Sequence, residues 1–239
     1  MYRSLHPDRS IAAALADLFA HDDGLEEAPS DAAGCKARSR LPEAVWTRLT
    51  DVSASRAVAA AAEEEDAWAG RPVYAADGTT LSMPDEPALV EAFGYTNTKH
   101  GPSRFPVARI LLLVRQGSEA VCDWRMDDYR TMEDAQFHAL WQTIPDVAIV
   151  VADRHFSTFY NLAKLRQRGV DAVAPLHPRR DPKRLIARGK RLGKREWRVP
   201  LDLAPALRKR YNDPTLPEAL WVRLIRVDCP ATGSARRSG

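Results

Sequence analysis

A chain of 239 residues with 45% hydrophobic content is long enough for one large domain or two small ones around a real core. It has no apolar run near the roughly 20 residues a membrane helix needs. Its three cysteines, Cys35, Cys122 and Cys229, are too scattered for a zinc motif or a disulfide framework, so no membrane and a reducing, cytoplasmic setting are expected. The net charge of +3 hides a split: residues 1–178 carry 18 basic and 26 acidic side chains, whereas residues 179–239 carry 17 and 6. Such a split suits a metal site beside a polyanion-binding surface. The plainer alternative is a solvated basic face without a partner.

In chain order, residues 1–70 read as a helical N-terminal region. The opening Met1-Tyr-Arg-Ser-Leu-His-Pro7 has no apolar signal segment. Ile11 to Phe19 is rich in helix formers at helical spacing. Lys36 to Arg40 reads as a basic connection, and a helix is expected to start near Pro42. Glu63, Glu64 and Glu65 read as an exposed helix face. Gly70-Arg-Pro72 marks a boundary, after which Val73 to Ser82 reads as a strand.

Residues 83–107, with four prolines and two glycines, read as a long functional connection in which Lys99, His100 and Arg104 could approach a phosphate. Ala108 to Val114 and Glu119 to Trp124 form a predicted hairpin. Thr131-Met-Glu-Asp134 has the form of a capping box ahead of a helix bearing Phe137, Leu140, Trp141 and Ile144, with Trp141 read as core. Val147 to Ala152 is a short apolar run ending at Asp153, the pattern of a buried central strand. Ser157 is the expected cap of the next helix and Gly169 its terminator, followed by a short strand from Val170 to Leu176. Antiparallel pairing suits the early strands and parallel βαβ pairing the later ones, so residues 71–178 form one mixed sheet.

From Arg179 the character changes. Residues 179–198 hold ten Lys or Arg against two acids, and Glu196 to Val199 and Leu220 to Val227 alternate as strands do. Residues 179–227 therefore read as a basic β-rich insertion, and residues 228–239 as a disordered tail. Within the insertion, residues 179–210 are the candidate for sequence-independent DNA binding.

Two carboxylates carry the candidate chemistry. Asp77 lies mid-strand, where an acid needs a reason, and Gly78 beside it removes bulk. Asp153 lies where a central strand emerges, a common catalytic placement, although a capping aspartate is the structural alternative. With their strands adjacent, the two acids would repel unless they share a proton or a cation, and hard oxygen ligands select Mg²⁺ or Mn²⁺.

Four motifs in this order resemble the DDE transposases of the insertion-sequence-four family. They are Asp77-Gly-Thr-Thr-Leu81; Ala92-Phe-Gly94 with Phe105-Pro106 and Arg109; Tyr129-Arg130; and Ala152-Asp-Arg-His-Phe156. The resemblance covers roughly residues 36–227. It implies an α/β fold with an RNase H-like mixed sheet core and a basic β-rich insertion. It also implies metal-dependent cleavage and transfer of DNA strands, in which Asp77 and Asp153 are the first and second catalytic acids and metal ligands. Asp77 would bridge two ions and Asp153 would hold one.

The insertion would hold transposon-end DNA through Arg179, Arg180, Lys183, Arg184, Lys190, Arg191, Lys194 and Arg195, with Lys99 and Arg104 assisting. Partners would be DNA, a second copy or a full-length transposase, at a nucleoid-associated location. His155 stands where the family often has a small residue, and reads as a loop or cap residue or an extra metal ligand. The family's third acid, a glutamate in a Tyr-Arg-Glu-Lys helix, has no counterpart, since Glu196 and Glu218 resemble it poorly. The resemblance thus implies a C-terminally truncated copy lacking the final catalytic helix. A non-catalytic DNA-binding or transposase-associating fragment is the main alternative, and a compact two-acid metal nuclease a further one.

Overall fold

The computed structural model describes residues 30–60, 67–98, 101–129, 131 and 133–228. The Ile11–Phe19 helix, the Glu63–Glu65 run, Lys99, His100, Arg130 and the tail from Cys229 lie outside them. The chain divides into two units, Met1–Ser53 and Ala54–Gly239. In the first, Ser30 caps α1 (Asp31–Ser39), its Oγ accepting from Ala33 N at 3.3 Å. The expected basic connection is therefore helical through Ser39, because a cap ahead of it makes a turn of helix the nearest partner for its backbone. Helix α2 (Glu43–Ala60) begins directly after Pro42.

The second unit is built on a seven-stranded mixed sheet. Strand β1 (Ala67–Trp68) turns into β2 (Arg71–Ser82) through Ala69 and Gly70, both at positive φ, the geometry of a tight hairpin. Where a long connection was expected, residues 83–107 hold α3 (Pro87–Phe93), β3 (Tyr95–Thr98) and the start of β4 (Gly101–Arg115). Proline at the first turn of α3 costs no hydrogen bond, so the proline-rich composition did not forbid a helix there. Then come β5 (Val121–Asp128), α4 (Glu133–Leu140), β6 (Ile149–Ala152), α5 (Phe159–Gln167) and β7 (Asp171–Val173). The order across the sheet is β3-β4-β2-β6-β7, with β1 on β2 and β5 on β4. The β2–β4 and β4–β5 pairs are antiparallel, and the β2–β6 and β6–β7 pairs are parallel.

One face of this sheet is covered. Tyr74, Ala76, Leu111, Leu113 and Val150 pack against Phe137 and Leu140 of α4, Ile144, and Leu165 of α5. The other face is more open. Leu112 lies opposite both Asp77 and Trp124, and Trp124, Met126, Val151 and Val173 are 38–57% exposed.

Residues 182–225 form α6 (Pro182–Arg188), β8 (Lys190–Gly193), β9 (Glu196–Asp202), α7 (Pro205–Tyr211) and β10 (Ala219–Ile225). The three strands make an antiparallel sheet in the order β10-β9-β8. The expected β-rich region thus also carries two helices, each started by a proline in its first turn. Its apolar side, Leu201, Leu203, Leu216 and Leu220, packs on Phe159 and Ala163 of α5. No helix among the described residues is long and apolar enough to cross a membrane.

Candidate active site at the C-terminal edge of β2 and β6

The parallel register of β2 and β6 sets Ala75 opposite Val151 and Ala76 opposite Ala152. The next residue on each chain is an aspartate, Asp77 and Asp153. Alternation along β2 buries Tyr74 and Ala76 and leaves Asp77 exposed on the open face. Asp77 Oδ1 accepts from Gly78 N at 2.8 Å. Asp153 is half-exposed and caps a 3-10 turn, Arg154–Phe156, its Oδ1 accepting from Arg154 N. Arg154 Nε stands 3.7 Å from the same oxygen. Asp153 is thus a cap as well as an edge carboxylate. The expected cap of α5 shifts by one residue: Thr158, not Ser157, accepts from Asn161 N at 3.2 Å. Gly169 ends that helix at positive φ, as expected.

The turn after Asp153 is held by a polar network that the sequence did not announce. Asn161 is fully buried; its Nδ2 donates to Phe156 O at 3.1 Å and to Asp134 Oδ1 at 3.0 Å, and its Oδ1 lies 2.8 Å from His138 Nε2. The only sequence signal was one amide among the apolar positions of α5. Met132, within the expected capping box, lies outside the described residues; ahead of it Asp128 Oδ1 accepts from Thr131 N at 2.7 Å.

Past β7 the chain passes the same edge. Arg180 Nη1 donates to Ser157 O at 2.8 Å, and Arg179 N donates to His177 Nδ1 at 3.2 Å. Burial first, then Arg180, Arg179 and His155, hold the His177 imidazole below its ordinary pKa, against the pull of Asp134. Burial likewise lowers Arg180. Neither histidine belongs to a metal-binding cluster: among the described residues no group of three or more His, Cys, Asp or Glu could hold an ion.

The other candidate cations are scattered. Arg104 is exposed on β4, away from the basic unit in sequence. Arg179, Lys183, Lys190 and Lys194 are exposed and in no ion pair among the described residues. Arg184 lies 3.6 Å from Asp181, Arg195 bonds Asp228 at 2.7 Å, and Arg191 Nε closes its own turn on Gly193 O at 3.0 Å. The two later glutamates are also engaged, Glu196 with Arg223 and Glu218 with Arg208. A groove of about 380 Å³, lined in part by Arg166, Gln167, Arg198 and Trp221, lies between α5 and β10 and includes neither aspartate.

Comparison with known proteins bears on this arrangement. Residues 68–212 match the family described as Transposase DDE domain. The protein named "Putative transposase InsZ", from Escherichia coli (strain K12), is 33% identical over 106 residues, covering 44% of this chain and 36% of that protein. The chain therefore spans about a third of the length of this curated relative. A solved structure described as a piggyBac transposase synaptic complex with hairpin DNA aligns over 68% of this chain and 34% of its own, at 12% identity and a TM-score of 0.38.

Proposed function

The chain belongs to the Transposase DDE domain family, and we propose that it works as part of a DNA transposase of the insertion-sequence-four type, built on an RNase H-like core. The observation that carries the reading is the β2–β6 register, which puts an aspartate directly after the Ala76–Ala152 pair on both strands. The strand order, with parallel strands on one side of β2 and antiparallel strands on the other, supports the RNase H-like assignment.

Asp77 and Asp153 would hold the divalent ion. Their donors are all oxygen, which suits Mg²⁺ or Mn²⁺. The Oδ2 of each makes no hydrogen bond among the described residues. When bound, such an ion supplies Lewis-acid stabilisation of a phosphodiester and a more acidic water. The carboxylates fix its place, and the Asn161 network holds the turn that carries Asp153. The exposed cations of the basic unit hold transposon-end phosphates. Two ions at one site need further ligand charge. Glu196 and Glu218 are the only glutamates after Asp153, and arginines take up both.

Asp77 and Asp153 are therefore expected to hold one ion, and the exposed cations of the basic unit to hold DNA. A second reading, a DNA-binding fragment that associates with a second copy or a full-length transposase, is favoured by the open apolar face that carries Asp77. Either reading places the protein with DNA, in the cytoplasm and at the nucleoid.

The test is calorimetric Mn²⁺ binding together with a cleavage assay on transposon-end duplex in Mg²⁺ and in Mn²⁺. Asp77→Asn and Asp153→Asn should each weaken Mn²⁺ binding by about tenfold or more, the scale of losing one charged ligand. Mn²⁺ binding as tight as the parent's in both variants would remove the metal reading. Robust cleavage that disappears in Asp153→Ala would show a complete site and displace the fragment reading.

A further inference from the structure

Arg180 is part-buried, yet among the described residues it forms no ion pair. Its one hydrogen bond there is to a neutral carbonyl, Ser157 O. That partial burial lowers its pKa. Around the neighbouring His177 stand Arg179 of the same segment, His155 of the 3-10 turn and Asp134 of α4, which is already bonded by Asn161. Among the described residues no carboxylate bonds Arg180, so a ligand's anion would fit there.

The geometry says where that anion would sit. Strands β6 and β7 are parallel with Val151 opposite Val173, so the segments that follow them leave the sheet at the same edge. The Arg180–Ser157 bond ties those two segments together a few residues beyond Asp153. His177 adds a directed donor. Because its Nδ1 accepts from Arg179 N, the neutral ring carries its proton on Nε2. A guanidinium fork, a second guanidinium and an imidazole N–H carried close together on one segment suit a tetrahedral oxyanion.

We propose that Arg180, Arg179 and His177 form a discrete pocket for one backbone phosphate of the bound DNA, beside Asp153 and separate from the exposed lysines of the basic unit. The pocket rests on the DNA reading above. It gives the strand a fixed point next to the carboxylates, where the lysines give only general attraction.

The experiment uses the full chain, with ¹⁵N-labelled histidine and two probes, a short duplex oligonucleotide and inorganic phosphate. The oligonucleotide should move the His177 Nε2 resonance, and inorganic phosphate should move the same resonance only at much higher concentration. In anisotropy titrations Arg180→Gln should weaken oligonucleotide binding about tenfold and reduce the salt slope by about one. His177→Leu should weaken it while leaving the Arg180–Ser157 bond in place. His177→Gln, which keeps a donor at the Nε2 position, should restore it. Arg180→Lys, with its thermal melt, separates loss of the fork from loss of fold.

Oligonucleotide binding with an unmoved His177 and unchanged affinity in Arg180→Gln and His177→Leu would overturn the pocket and leave the DNA reading standing. A His177 response to inorganic phosphate without any oligonucleotide binding would do the reverse. No response to either probe would overturn both.

Discussion

The basic unit and the β2–β6 edge of the large sheet hold their acids differently, although other acids of the large sheet, Asp171 with Arg71 and Asp123 with Arg125, are paired. In residues 179–228 all six acids are in ion pairs: Asp181 with Arg184, Glu196 with Arg223, Asp202 with Arg188, Asp213 with Lys164, Glu218 with Arg208, and Asp228 with Arg195. At the edge of the large sheet, Asp77 has no such partner among the described residues, and Asp153 has only Arg154, at 3.7 Å. An acid beside an arginine is satisfied and has little left for a ligand. An acid without such a partner, as Asp77 is among the described residues, still lacks a counter-charge, which a cation would supply. The same comparison sorts the cations. Those paired to acids shape the basic unit, and those left over are the ones available to a polyanion.

The largest expected effect tests that sorting. Reversing four exposed cations that are in no ion pair among the described residues, Arg179, Lys183, Lys190 and Lys194, to Glu should lower DNA affinity on the order of a thousandfold at low salt and reduce the salt slope by about four. Changing the paired Arg188 and Arg208 to Gln should leave the slope nearly unchanged, because their charge is already neutralised. Equal effects in the two sets, measured by anisotropy from low to moderate salt, would erase the distinction.

Gly189 offers a way to break one region and spare the other. A Cβ built there would lie 2.7 Å from Val199 Cγ1 and 2.8 Å from Arg198 O, a backbone atom that cannot step aside. Gly189→Ala should therefore push α6 off β9 and destabilise the basic unit by about 1–3 kcal/mol. DNA binding should weaken, while Mn²⁺ binding at the large sheet should persist.

Much of this arrangement was legible in the sequence. The apolar run ending at Asp153 could be read as a central strand, and β6 does lie between β2 and β7, but the expected burial holds on one face only, since Val151 is 39% exposed on the other. Asp77 stood out because an acid in a β-branched run is disfavoured. Residues 83–107 misled because prolines and glycines there mark a helix start, a tight turn and a hairpin edge, and composition alone does not distinguish these from loop. The His177–Arg180 segment was legible only as charge. Which of its cations is buried depends on β7 lying beside β6, a contact between elements far apart in sequence. The Asn161 network was hidden for the same reason, since its partners come from α4 and from the turn after β6.

A smaller effect is expected at the opposite end of the large sheet. Val147 is β-branched yet has φ 61°, and its carbonyl is pinned by Arg71 Nε at 2.6 Å. Left-handed backbone costs an ordinary residue about 1–2 kcal/mol, and Val147 is 61% exposed, so little packing is lost on truncation. Val147→Gly should raise stability by about 1 kcal/mol, read as a rise in the urea midpoint at constant slope. Because Arg71 also bonds Ala148 O at 2.9 Å, the start of β6 should keep its register, and Mn²⁺ binding at its other end should not change.

The smallest effect concerns the acid that joins the two regions. Asp213, in the loop after α7, accepts from Thr215 Oγ1 at 2.6 Å, from Lys164 Nζ of α5 at 2.9 Å and from Thr215 N at 2.9 Å. Those bonds, the Thr215 hydroxyl first, hold its carboxyl at about 2, below the ordinary 3.8. A carboxyl depressed in the folded state binds fewer protons there than in the unfolded chain. Its contribution is therefore complete above the ordinary value and fades as pH falls through 3.8 to about 2. Asp213→Asn keeps the shape and part of the hydrogen bonding but removes the charge. The variant should be slightly less stable than the parent in urea melts near pH 5, with the gap closing on acidification. A gap that stays constant down to pH 2 would mean the tie between α5 and the basic unit is made by hydrogen-bond geometry alone. Asp213 would then be the one acid of the basic unit whose charge is not what its lysine holds.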